Sequence, residues 1–284
     1  MGRIEKALFI FTVFLAVAGL KAYGQEADVK NMERPVTGFY NIEIGRKHAL
    51  STYLSPFSYT GTNAAVSGLW TKALPANPEH LSMTFEGRIN LGSFLNRAHT
   101  ARELDLHAGG SWSLEWRKKL PANFLLGAGG TVGLHGGALY LTRNGNNPVS
   151  ADFCVGLGLT GFGSWHTKVG RLPILVTERA SIPLVNGFFM PQYGEPYYEI
   201  YLGNRNGLAH CGWWGNHFAI DNLVALSLDF GRTAMQIGYR FSMQSVKANN
   251  LVSNMFNHAF VIGVVPGGLG LKEKKANSIN PLYQ

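Results

Sequence analysis

Charge is scarce in this chain, and so is cysteine. Only 15% of its 284 residues are Asp, Glu, Lys or Arg, although 46% are hydrophobic. A water-soluble globule needs a more heavily charged exterior than that. Two cysteines, Cys154 and Cys211, are too few for a disulfide-stapled scaffold. Neither lies near the N-terminal apolar segment, which argues against a lipoprotein anchor. After Gly24 no apolar run reaches the ~18 residues of a membrane helix, so a membrane-spanning form has to be a closed barrel. Internal repeats, low-complexity tracts and basic stripes with interleaved aromatics are also missing; the last of these argues against nucleic acid as a partner.

What is present begins with an export signal. Residues 1–6 are short and charged, Ala7 to Leu20 form an apolar core, and Ala22-Tyr23-Gly24 is a small-residue cleavage site, so the mature chain is expected to start at Gln25. The net charge then falls from +8 to +6, because residues 1–24 carry Arg3, Lys6, Lys21 and Glu5. That modest excess suits contact with lipopolysaccharide phosphates or anionic headgroups. Residues 25–34 read as a periplasmic N-terminal segment, 35–265 as a barrel, and 266–284, with Lys272, Lys274 and Lys275, as a basic periplasmic tail.

The barrel reading comes from alternation. Leu81, Met83, Phe85, Gly87, Ile89 and Leu91 share one face of an extended segment, and Ser82, Thr84, Glu86, Arg88 and Asn90 share the other. Leu104 to Trp116 repeats the pattern. A period of two sustained this long suits a tilted strand crossing hydrocarbon, apolar toward lipid and polar toward the lumen. A periplasmic β-sandwich is the plainer alternative, with shorter runs expected. Alternation and turn residues together predict ten strands, at 35–47, 58–72, 79–95, 102–118, 123–141, 149–169, 172–188, 217–230, 232–246 and 254–265. The expected fold is therefore all-β: a transmembrane antiparallel up-and-down barrel, with short periplasmic turns after the even-numbered strands and longer outer loops elsewhere, including 247–253. Trp70, Trp116, Phe124, Trp165 and Phe230 beside the short turns, and Phe57, Tyr59, Phe94, Tyr140, Phe188 and Phe218 beside the loops, read as two interfacial girdles. The seventh strand fits least well. Pro173 and Pro183 remove ladder donors, and strict alternation puts Glu178 toward lipid unless a bulge resets the phase.

Phase assigns Glu43, Glu86, Arg88, Glu103, Asp105, His107, Glu115, Arg117, Arg179, Asp221, Asp229 and Arg240 to the lumen. Both signs occur, so a mutually neutralising plug is expected. The alternative is a polar conduit or internal ligand site with Arg88, Arg179 and Arg240 as carboxylate- or phosphate-binding forks. His48, His99, Asp152, Glu195, His210, His217 and Asp221 lie toward the outer rim. No nucleophile and base stand there at a recognisable spacing, so no catalytic residue is assigned. Neither a metal nor a cofactor is expected. The 189–216 loop holds Tyr193, Tyr197, Tyr198, Tyr201, Trp213 and Trp214 among Gly, Asn and Pro. This composition suits carbohydrate or protein contact, unless the segment extends the wall or caps the lumen. Cys154 and Cys211 fall at the same end of the barrel in a disulfide-permissive compartment, so a bridge between them is expected, against the alternative of two free thiols.

The segments Thr52-Tyr53-Leu54-Ser55-Pro56, Tyr59-Thr60-Gly61 and Tyr197-Tyr198-Glu199-Ile200-Tyr201, with the cleavage region Lys21-Ala22-Tyr23-Gly24-Gln25, resemble an uncharacterised outer-membrane β-barrel family of Bacteroidota. The resemblance implies an outer-membrane location and supplies no catalytic residues. Unlike commoner barrels, the chain does not end on an aromatic residue. The resulting expectation is a monomeric outer-membrane barrel, in contact with membrane lipid and lipopolysaccharide, with a structural or small-solute-binding role. A surface adhesin or envelope-complex subunit is the main alternative, and a rim hydrolase the weaker one.

Overall fold

The alternating segments become ten long antiparallel strands in the computed structural model, which describes residues 36–266 together with Leu269 and Leu282. They are β1 (Val36–Ser51), β2 (Tyr59–Ala73), β3 (Leu81–Asn96), β4 (Arg102–Leu120), β5 (Phe124–Leu141), β6 (Val149–Val169), β7 (Leu172–Phe189), β9 (His217–Asp229), β10 (Thr233–Ala248) and β11 (Leu251–Pro266). A short strand, β8 (Ala209–Gly212), and a one-turn helix, α1 (Tyr197–Tyr201), lie within the loop between β7 and β9. The signal peptide, its cleavage and the 25–34 segment fall outside the described residues, as does most of the tail.

Each long strand pairs with two neighbours, β1 with β11 and β6 with β7 included, so the wall closes on itself. The register fixes its shape. A row of directly paired residues that leaves β4 at Leu104 passes Ser93, Thr62, Arg46, His258, Phe241, Asn222, Ala180, Gly161 and Ala128. It re-enters β4 at Trp116, twelve residues further along. With ordinary strand rise and spacing, that stagger over ten strands gives a tilt of about 40° and a backbone radius of about 10 Å, a lumen that side chains can fill.

Exposure follows the pleat. Ile42, Ile44, Val66, Ile89, Leu91, Leu134, Leu157 and Ile262 are exposed on the outer wall, while Glu43, Ser82, Glu115, Ser227 and Asp229 are fully buried inside. This inverts a soluble protein, as a lipid-facing surface requires.

Several expectations are corrected. The 247–253 segment is not a long loop, because β10 and β11 continue to a two-residue turn at Asn249-Asn250, with φ of 51° and 61°. Asn tolerates this left-handed conformation, and two such residues match the twist of a tight hairpin. In β7 the irregularity falls at Leu184, since Leu157 pairs Val185 while Gly158 pairs Pro183. It comes after Glu178 and so leaves that residue in its outward phase, where its carboxylate accepts a hydrogen bond from Asn222 Nδ2 at 3.1 Å. Of the proposed outer girdle, Tyr59, Phe94 and Phe188 turn inward and are buried, while Phe57 and Tyr140 are exposed.

Those inward rings help close the long-loop mouth. Tyr59 and Phe94 pack with Leu54, Leu139, Leu141 and Met255, and Phe188 packs with Cys154, Met190, Val246 and Leu251. At the short-turn mouth the tail residues Leu269 and Leu282, 0% and 2% exposed, pack with Phe39, Leu175, Ala234 and Val265. Both ends of the lumen therefore carry apolar stoppers.

Candidate functional site

Between the two stoppers the lumen is polar. The inward phases of β1, β3, β9 and β10 converge at Arg240, whose side chain is 4% exposed and meets three carboxylates: Glu86 at 2.5 Å, Asp221 at 2.8 Å and Glu43 at 3.3 Å. Glu43 also holds Arg88 at 2.7 Å and accepts a hydrogen bond from Ser67. Nearby, Arg179 donates to Glu115, to which the Thr84 hydroxyl donates at 3.0 Å, and the Arg179 guanidinium lies 5.1 Å from the centre of the Phe162 ring. With several partners for Arg240 and Arg179 and one carboxylate for Arg88, the desolvation of these ions is offset.

A second network lies toward the long-loop end. Asp105 accepts from Lys47 at 2.9 Å and Asn90 at 2.5 Å, and its other oxygen lies 2.6 Å from His107 Nδ1. Asp152 sits between His107 and His135, at 3.7 and 3.6 Å, and accepts from Gln244. On β7 and β9, Asn186 Nδ2 donates to His217 Nδ1 at 2.7 Å, which leaves the imidazole proton on Nε2.

A cavity of about 320 Å³ separates the two networks. Gly109, Gly133, Gly156 and Gly158 lie along one wall, and Lys47, Arg88, Asn186, His217, Asp221 and Asn257 line the rest. A Cβ added at Gly133 would meet nothing within 4 Å.

Of the twelve residues that phase assigns to the lumen, Glu43, Glu86, Arg88, Asp105, His107, Glu115, Arg179, Asp221 and Arg240 take part in the contacts just described, while Glu103, Arg117 and Asp229 are buried. Phase reasoning passed over Lys47 and Asp152, although each sits in register with residues it did select. The rim set is scattered rather than assembled. His48 faces the outer wall, His99 tips the 97–101 loop at φ 56°, Asp152 and His217 join the lumen, and Asp221 belongs to the Arg240 knot. No group of three or more His, Cys, Asp or Glu is placed to hold a metal among the described residues.

The long loop folds back as a cap. Tyr53 donates to the Glu195 carbonyl at 2.7 Å and packs edge-on against Tyr197, while the Tyr197 hydroxyl accepts from Ala151 N–H at 2.7 Å. Asn249 Nδ2 clamps the same loop through the carbonyls of Met190 and Gly207. Of the six aromatics, Tyr197 is the anchor. Tyr193, Tyr198, Tyr201, Trp213 and Trp214 are exposed, Tyr198 at 68% and Tyr201 at 83%.

The expected Cys154–Cys211 bridge is absent, and both thiols are free. Cys154 pairs Phe188 across β6–β7, and Phe188 pairs His210, whereas Cys211 pairs Gly187. The two sulfurs therefore point to opposite faces from strands separated by β7. At ordinary strand spacing their Cα atoms are about 10 Å apart, too far to bridge.

Burial, with Tyr197 and the Glu195 carboxylate nearby, pushes the Tyr53 hydroxyl up to about 12, and burial also raises Tyr197. Both latches thus favour the neutral phenol. Their contribution is complete below the ordinary tyrosine value near 10 and is lost as pH rises through the folded value. Protease cleavage within 190–216 is expected to stay slow to about pH 10 and to accelerate toward 12. Tyr53→Phe, which lacks the bond to Glu195, should be cleaved faster at neutral pH; equal cleavage of the two proteins would contradict the latch.

A closed ten-stranded antiparallel barrel with an apolar wall and a polar lumen defines the class: the fold is that of outer-membrane β-barrels. Within it the chain belongs to the family described as "Protein of unknown function (DUF3316)", whose profile matches residues 7–275. No curated protein sequence matches it. Among solved structures it is similar to the transport unit of the autotransporter AIDA-I from Escherichia coli, with 7% identity over 92% of this chain and 97% of that one and a TM-score of 0.46. It is also similar to the outer membrane protease OmpT from Escherichia coli, with 8% identity, 84% and 99% covered and a TM-score of 0.44. A third is the translocator domain of autotransporter NalP from Neisseria meningitidis, with 8% identity, 92% and 95% covered and a TM-score of 0.39.

Proposed function

We propose that this protein is a non-conducting outer-membrane barrel of a Gram-negative bacterium, exported with cleavage of residues 1–24, that holds an aromatic cap toward the outside for partner recognition. The observation that carries this reading is the contrast between a lumen stoppered at both mouths and a cap whose rings are left in solvent. Ion-paired side chains and two apolar stoppers favour rigidity over passage, whereas Tyr198, Tyr201 and Trp213 offer flat faces on a loop anchored by Tyr53 and Asn249. Such rings supply contact area at low entropic cost and stack on the C–H faces of sugars. The resemblance of its short motifs to those of Bacteroidota barrels supports a host of that group. A surface adhesin or a subunit of an envelope complex would use the same cap. The glycine-walled cavity favours a second reading, an internal site for a small polar solute, since its volume is at the lower end for ligand pockets.

A glycan array probed with detergent-purified protein tests the cap. Wild-type protein is expected to retain a defined set of oligosaccharides, with at least tenfold weaker signal for Tyr198→Ser/Tyr201→Ser/Trp213→Ser. Identical profiles for the two proteins would contradict a role for the rings.

A further inference from the structure

Near the long-loop end the outer wall carries a polar pair, across β1 and β11, that neither the lumen nor the cap explains. On β1 the outward residues run Tyr40, Ile42, Ile44 and then Arg46, which is exposed and has no carboxylate partner among the described residues. Directly across the β1–β11 ladder stands His258, also outward and exposed. Its Nδ1 is hydrogen-bonded to the Tyr239 hydroxyl, and its ring packs against Phe241 with centroids 5.1 Å apart. The phenol thus holds the imidazole in place, and a guanidinium and an imidazole face away from the barrel on paired strands.

Depth decides what they meet. Gly38 pairs Trp70 at the short-turn girdle, and Arg46 is eight residues further up the same strand. At about 3.3 Å per residue and a tilt of about 40°, it lies roughly 20 Å above that girdle. An apolar band is about 25 Å tall, so the pair sits just under the outer headgroup level. An unpaired arginine costs about 2–4 kcal/mol at mid-bilayer and almost nothing at the interface, where it can reach an anion. The anions at that level are lipid phosphates, and the long-loop side selects the outer leaflet.

We propose that Arg46 and His258, with Tyr239 positioning the imidazole, form a binding site on the outer wall for the phosphate of a phosphorylated glycolipid of the lipid A type. The inference rests on the outer-membrane reading above, and the chemistry is charge-assisted hydrogen bonding of a phosphate oxygen by guanidinium and imidazole.

Protein reconstituted in phosphatidylcholine vesicles provides the test. Its unfolding midpoint is measured by heat-modified gel mobility with added bisphosphoryl lipid A, dephosphorylated lipid A or phosphatidylglycerol. Bisphosphoryl lipid A is expected to raise the midpoint by several degrees for the wild type and for Arg143→Leu, which loses a loop cation, but not for Arg46→Leu/His258→Leu. If the double variant does not fold, Arg46→Leu alone carries the test, because this exposed side chain has no ion-pair partner to lose among the described residues and its shift should fall by more than half. Equal protection by dephosphorylated lipid A or by phosphatidylglycerol, or protection that survives the variants, would overturn the proposal. Wild-type protein that does not enter vesicles at all would overturn the membrane reading instead.

Discussion

Replacing Arg240 by leucine is expected to lower the stability of the barrel by about 3–5 kcal/mol, because Glu43, Glu86 and Asp221 would be left buried around an apolar side chain. Arg88→Leu should cost less, since Arg88 is more exposed and pairs with Glu43 alone. Arg143→Leu, on an exposed loop, should change stability by well under 1 kcal/mol. Heat-modified gel mobility over a temperature series orders the three. Equal midpoints for Arg240→Leu and Arg143→Leu would show that the ionic knot does not hold the barrel.

The second large effect is expected at the seam where the first strand meets the last. Gly45 faces the lumen between Glu43 and Lys47, and a Cβ there would lie 1.8 Å from the His258 carbonyl oxygen and 2.6 Å from Ala259 Cα. Backbone atoms cannot swing aside as a flexible side chain can, so even alanine forces β1 and β11 apart. Overpacking of this kind costs about 1–3 kcal/mol for ordinary cores, and more where the obstacle is main chain. Gly45→Val should therefore fail to give the compact, heat-modifiable form. Gly133→Val, in equally extended backbone but facing the cavity, should fold with near-wild-type stability. If both valine variants fold alike, the close approach at the seam is not a constraint.

Much of this architecture was legible in the sequence because the two faces of each strand meet different solvents. An error of one residue would put Glu43, Glu86 or Glu115 into lipid, so the pattern is enforced at every step. The same logic assembled the lumen set, since inward phase in a barrel about 20 Å across nearly guarantees contact. What escaped depends on detail that alternation does not encode. Asn249-Asn250 reads as polar loop until its left-handed turn is seen. Tyr59 and Phe94 are apolar like girdle residues, yet they face inward because both strands extend past the polar lumen into its mouth. Leu269 and Leu282 lie in a tail without periodicity, and only packing shows that they stopper the lumen. Cys154 and Cys211 share an end of the barrel but not a face. Arg46 and His258 could have been found, because even numbering on β1 already set Arg46 against Glu43 and Lys47.

The claim that the lumen is closed meets its most direct test in single-channel recording across a planar bilayer containing the purified protein. Stoppers at both mouths and the Arg240 knot between them predict a flat current trace across the voltage range, for insertions verified by antibody access to a tag placed at Gly145 in the 142–148 loop. Discrete, voltage-independent steps from the folded, heat-modifiable protein would contradict the account and return the barrel to the class of open pores.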